Sequence, residues 1–215
     1  MQYLLGQNPF PPETFANLLL LYCKYEYYDL TADVLAENAS LTYKYLEQYM
    51  YDYFDALITL QTSDVDAYNK LEKLAENQAN IMRKKYQHLM QLRQSPNSKT
   101  LHKALDEFER ELGRYLPLLM MQAKIFWDKG NYARVEQLFR RSAEFCSENH
   151  TWKMNLAHTL FMQEKFRVSV NKVRKKWDDF LLETIISELK ILSVFLQFDF
   201  CESYIELESW NIRIY

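Results

Sequence analysis

The chain has 215 residues, a formal net charge of −3 and 48% hydrophobic residues, yet only 3 Gly and 5 Pro. Soluble domains average about 7% Gly, so turns are scarce here and long elements are expected. The Leu, Glu, Lys, Gln, Met and Ala content makes those elements helices. Gly6, Gly113 and Gly130 stand too far apart to form a glycine-rich phosphate loop. The near-neutral charge speaks against a general nucleic-acid binder, which would carry a basic footprint.

Cys23, Cys146 and Cys201 are odd in number and lack metal-ligand spacing, which suits reduced thiols. The sequons at Asn38 and Asn149 are then chance matches. No apolar run approaches the ~18 residues of a membrane span, and residues 1–6 lack the features of a signal peptide. The expectation is a soluble, intracellular chain.

In chain order, Pro9, Pro11 and Pro12 place a helix start near Pro12. Phe15, Leu18, Leu19 and Tyr22, then Tyr28, Thr31 and Leu35, predict two helices of about 13 residues meeting near Glu26. A third helix is expected from about Ser40 to Leu60, carrying Tyr43, Leu46, Met50, Phe54, Leu57 and Leu60. Ser63 reads as an N-cap, with Asp66 three residues on. Behind it runs one stripe, Tyr68, Leu71, Ala75, Ala79, Met82, Tyr86 and Leu89, which residues 94–98 interrupt. A second stripe follows: Leu101, Leu105, Phe108, Leu112, Tyr115 and Leu119. An antiparallel helical hairpin, each stripe covering the other, accounts for both.

The architecture follows from a repeat. The set Ala123, Phe126, Gly130, Tyr132, Val135 and Phe139 recurs 34 residues later as Ala157, Leu160, Glu164, Phe166, Ser169 and Val173. The same frame stands 104 residues earlier as Leu19, Tyr22, Glu26, Tyr28, Thr31 and Leu35. This is the tetratricopeptide pattern, in which paired helices stack at a fixed period because no pair hides both its faces alone. The expected fold is all-α: a right-handed superhelix of antiparallel helix pairs with a longer hairpin in the middle. Residues 1–61 form one repeat and a following helix, 62–115 an irregular hairpin and 116–177 two repeats. Residues 178–215 are expected to be a divergent, non-native C-terminal segment.

Whole segments also resemble a known family. They are Gln7-Asn-Pro-Phe-Pro-Pro-Glu-Thr-Phe15, Asn17-Leu-Leu-Leu-Leu-Tyr-Cys-Lys-Tyr-Glu-Tyr27 and Ala32-Asp-Val-Leu-Ala-Glu-Asn38, with Asp55-Ala-Leu-Ile-Thr59, Met121-Gln-Ala-Lys-Ile125 and Leu160-Phe-Met-Gln-Glu164. Over roughly residues 1–165 the chain resembles the tetratricopeptide repeat protein 30 family, subunits of the intraflagellar transport complex B, and looks like a middle fragment. After Phe166 the resemblance fades. It implies a non-enzymatic scaffold of the cytoplasm and cilium, needed for cilium assembly and tied to axonemal tubulin polyglutamylation. The implied partners are other complex B subunits, with no cofactor, nucleic acid or membrane insertion.

No catalytic constellation is visible. His88, His102, His150 and His158 share no catalytic or zinc spacing, and a nucleophile elbow would need glycines that are missing. The basic run Lys165, Arg167, Lys172, Arg174, Lys175 and Lys176 reads as a solvated helix face, neutralised by Asp178 and Asp179, rather than an anion site. The Tyr-rich stretches 22–28 and 43–53 read as packing rather than base stacking. The functional lead is the inner face that the first helix of each repeat lines. Ala16, Leu20, Cys23 and Lys24 belong to it, then Met120, Lys124 and Trp127, then Met154, His158 and Phe161. Leu20, Lys24, Met120, Lys124, Trp127, Met154, His158 and Phe161 are the candidate partner-binding set. Being apolar and aromatic, it suits an extended, proline-rich segment. Two alternatives stand open: a generic peptide-binding module of the co-chaperone kind, and a truncated product without independent function.

Overall fold

A computed structural model describes residues 12–93 and 98–163. Those residues form helices and turns, with no strand among them. In order the helices are α1 (Pro12–Lys24), α2 (Tyr28–Glu37), α3 (Ala39–Tyr45), α4 (Gln48–Thr59), α5 (Asp64–Leu92), α6 (Ser98–Trp127), α7 (Tyr132–Cys146) and α8 (His150–Met162). The fold class is all-α. The chain divides into two compact units, one reaching Leu118 and the other beginning at Leu119. Three sequence expectations lie outside the described residues: the partner helix with Phe166, Ser169 and Val173, the basic run 165–176, and the segment 178–215.

The repeat frame is visible in the turns. Glu26 (φ +59°) ends α1, and Gly130 (φ +67°) ends α6 104 residues on, both left-handed. After α1, Tyr27 N–H donates to the Tyr22 carbonyl (2.8 Å) and Glu26 N–H to that of Cys23 (3.1 Å). After α6, Asn131 N–H donates to the Phe126 carbonyl (2.9 Å) and Gly130 N–H to that of Trp127 (2.8 Å). Both are complete Schellman caps: each closes the helix on its own orphan carbonyls and turns the chain back at once. Only the second uses the residue without a Cβ.

In the first unit, Phe15, Leu18 and Leu19 of α1 are enclosed, as are Met50, Tyr53, Phe54 and Leu57 of α4. Thr31 and Val34 bring α2 into that core. Ser63 caps α5, its hydroxyl accepting from Asp66 N–H (3.2 Å). Leu71, Ala75, Ala79, Met82 and Leu89 are buried along α5. The pairings between α5 and α6 run in opposite numerical order, which makes the pair antiparallel. Gln78 Nε2 donates to the Glu111 carbonyl (3.1 Å) and carboxylate (2.8 Å), Lys85 Nζ meets Glu107 (2.7 Å), and Tyr86 lies 5.9 Å from Phe108 ring to ring.

Two features depart from the expected elements. The helix expected over 40–60 is two helices, broken where Leu46 (φ −102°, ψ 123°) and Glu47 (φ −63°, ψ 147°) become extended. Ser40, Thr42, Tyr43 and Tyr45 are weak helix formers, so seven residues of α3 have little to carry them onward. The break leaves Tyr43 90% exposed while Met50, Phe54 and Leu57 stay inside. Across it, Tyr49 Oη donates to the Arg114 carbonyl and Arg114 Nη2 to Glu47 (2.9 Å), tying the start of α4 to α6. The second departure is that the expected boundary at 115/116 falls inside α6, which continues through Pro117. A mid-helix proline costs about 3 kcal/mol. Complete burial of the adjoining Leu118 and Leu119 works against that cost.

The two caps give opposite predictions. Replacing Glu26 with Gly removes the left-handed penalty and should raise stability by about 1 kcal/mol. A Cβ at Gly130 meets nothing within 4 Å, so Gly130→Ala costs only the conformational term and should lower stability by about 1 kcal/mol. Denaturant midpoints of the two variants check this; shifts of the same sign would overturn it.

Candidate partner-binding face

In the second unit, α7 is capped by Asn131, whose side chain accepts from Arg134 N–H (3.3 Å), and α8 by Asn149, whose side chain accepts from Trp152 N–H (2.9 Å). Trp152 is buried on Phe139, their rings 6.1 Å apart and edge to face. Its Nε1–H donates to Ser142 Oγ (2.8 Å), and Ser142 passes the chain on to the Phe139 carbonyl (3.0 Å). A large indole is thereby buried with its polar atom satisfied. Gln163 Nε2 donates to the Tyr132 carbonyl and to Glu136, both at 3.1 Å, so the end of α8 is fastened to the start of α7. Buried Glu136 also accepts from Arg140 Nε (2.7 Å).

Against this frame sits one face built by α6 and α8. Met120, Lys124 and Trp127 follow one another at four and three residues on α6; Met154, His158 and Phe161 do so on α8. Trp127 stands between two rings, 4.9 Å from Tyr132 and 4.7 Å from His158. Trp127, Tyr132, Met154, His158 and Phe161 are each half-buried, so part of every side chain faces outward. Lys124 Nζ bonds the exposed Asp128 carboxylate (3.1 Å), which offsets the charge of the cation this face carries. Met120 differs. It is 2% exposed, and its sulfur accepts from Asn155 Nδ2 (3.5 Å), so it supports the face rather than presenting surface.

Leu20 and Lys24 belong to the first unit. Leu20 is 1% exposed and Cys23 is buried, so this stretch of α1 presents Lys24, which is half-buried. Cys23 Sγ lies 3.6 Å from Thr31 Oγ1, and burial pushes its thiol up to about 12. Burial also raises Tyr53, with the neighbouring Tyr49, Cys23 and Tyr28 adding to the shift. Asn17 Oδ1 is enclosed without a donor among the described residues. Two participants are additional to the expected set. Tyr132 was visible only as a repeat position, and Asp128 only as an acid four residues after Lys124. Among the described residues no group of three or more His, Cys, Asp or Glu could hold a metal ion.

Residues 14–205 match the intraflagellar transport protein 70 C-terminal domain. The chain belongs to that family. Its similarity to intraflagellar transport protein 70A of Xenopus tropicalis, 70A1 of Mus musculus and 70A of Homo sapiens is 50% identity over 186 residues, 84% of this chain in each case. The same stretch is 29%, 28% and 28% of those relatives, so the chain spans less than a third of their length. The family match passes Phe166, where the resemblance was expected to fade, and runs through the basic run to residue 205.

The buried ionisable groups predict an alkaline limit to stability. Burial raises Cys23 and Cys146 to about 12 from 9.0, and raises Tyr49 and Tyr53 above 10.0. Each stays neutral in the fold while its unfolded counterpart ionises, so stability is full below about pH 9 and falls as pH climbs toward the folded values. The loss approaches about 1.4 kcal/mol per pH unit for each group. Denaturant midpoints between about pH 8 and about pH 11 test it, and a flat profile would contradict the burial of these groups.

Proposed function

We propose that this chain is a non-enzymatic scaffold segment of the intraflagellar transport complex B that grips an extended segment of another subunit. The supporting observation is Trp127, steadied by Tyr132 and His158 yet still partly open to solvent. A ring already fixed in place loses little freedom on binding, and such aromatics dominate interface energetics. Beside it are apolar Met154 and Phe161 and a cation already paired. A proline-rich strand fits that surface, because its preformed helix is rigid and its rings lie against aromatics. The names of the relatives support a transport role; work in the cytoplasm and cilium, a need for the chain in cilium assembly and a link to tubulin polyglutamylation belong to this reading. A co-chaperone-like module would instead clamp a carboxylate with clustered unpaired cations, and Lys124 already has Asp128.

Co-expression of the chain with the other complex B core subunits tests the reading. A stable co-purifying complex is expected, weakened about tenfold or more by Trp127→Ala and retained by Trp127→Phe. Unchanged capture by the alanine variant would remove the face from the proposal. A soluble chain that captures no subunit would overturn the scaffold role and favour a product without independent function.

A further inference from the structure

The far end of the α5–α6 hairpin carries charge of one sign. Residues 77–105 contain Arg83, Lys84, Lys85, Arg93, Lys99 and Lys103, and no Asp or Glu at all. The whole chain has 29 acidic residues and a net charge of −3, so with +6 in this stretch everything outside it carries −9. The antiparallel pairing of Lys85 with Glu107 and of Tyr86 with Phe108 brings the end of α5 alongside the start of α6. Arg83, Lys84, Arg93, Lys99 and Lys103 are exposed there, with His88 and His102. Among the described residues Lys84, Arg93 and Lys99 have no ion pair, while Lys85 is held by Glu107 (2.7 Å). Between the cations α5 exposes further amide donors, Gln87 and Gln91, which bond carboxylates without adding charge.

We infer that this hairpin end is a docking surface for a short acidic protein segment. Its size sets the occupant. Arg83 to Arg93 rises about 15 Å along α5, a distance that about five extended residues cover. Screening over about 8 Å at physiological salt confines the attraction to that end. A stretch of several Glu or Asp residues lies wholly inside the positive field, each carboxylate within reach of a Lys, an Arg or an amide. A long polynucleotide or a membrane plane continues past the about 15 Å over which these cations stand and leaves most of its charge unmatched. The surface shares no residue with the aromatic face and takes a partner of opposite chemistry.

The probe is a fluorescein-labelled hexaglutamate peptide, titrated with the full chain and followed by anisotropy at about 0.05 and about 0.2 M salt. The expected result is saturable binding, weaker at the higher salt and absent for hexaglutamine. Lys84→Glu/Arg93→Glu/Lys99→Glu should weaken it about tenfold or more, and the matching Gln variant by less. Lys129→Glu/Arg134→Glu, outside the hairpin in sequence, should leave it unchanged. Circular dichroism verifies helix content in each, and the Gln variant decides if the charge reversal unfolds. Hexaglutamate that does not bind, or binds all variants equally, overturns the inference. So does tighter binding of oligothymidylate or phosphatidylserine vesicles that the same triple reversal abolishes.

Discussion

A helix pair of this kind depends on how sharply it can turn. At Glu26 and Gly130 the chain leaves a helix through one left-handed residue, and two hydrogen bonds return to the carbonyls the helix would leave unpaired. Only three residues (25–27) separate α1 from α2 and four (128–131) separate α6 from α7, so each following helix begins soon after the cap. Everything else in the repeat is laid out from this reversal. The positions that follow it, Thr31 after the first turn and Val135 after the second, have no exposed surface. The glutamate at the first turn carries the backbone cost that the glycine at the second avoids.

The next constraint is the sharing of α6. Thirty residues long, it is the second arm of the hairpin at its start and the first helix of a tetratricopeptide pair at its end. Arg114 and Tyr115 serve the first unit, whereas Met120, Ala123 and Trp127 serve the second. One helix meeting two packing environments cannot keep a simple stripe along its whole length. Four of its stripe residues near the start, Leu101, Leu105, Phe108 and Leu112, are only half-buried, and Leu118 to Met121 are enclosed all round.

Legibility in the sequence followed this division. The 34-residue period located α6, α7 and α8 and the turn between the first two, because each repeat position has one packing duty. Ser63 was readable as a cap since its chemistry is local. The break at Leu46 and Glu47 was not readable: apolar residues continue at helical spacing across it, and the tie from Arg114 to Glu47 comes from 67 residues away. For the candidate face, spacing put Lys124 and His158 in one slot and Trp127 and Phe161 in the next. It could not say that Trp127 meets His158 ring to ring, nor that Leu20 and Met120 would be covered. Burial is decided by neighbours that a periodicity does not name.

The two surfaces follow from different consequences of the same helical economy. Repeats stack through apolar contacts, so the helices that line a repeat array end with residues such as Trp127 and Phe161 half inside and half out. On the proposed function, recognition there is by shape and apolar area, and changes little with salt. Most exposed positions at the end of the hairpin, Arg83, Lys84, Gln87, His88, Gln91 and Arg93 among them, are polar or charged by default. With acids excluded from 29 consecutive positions, that default becomes a field of one sign. Recognition there is by charge, fast and salt-dependent. On these two proposals, the chain holds an apolar partner segment through one set of residues and steers an acidic one through another, with no residue shared between them.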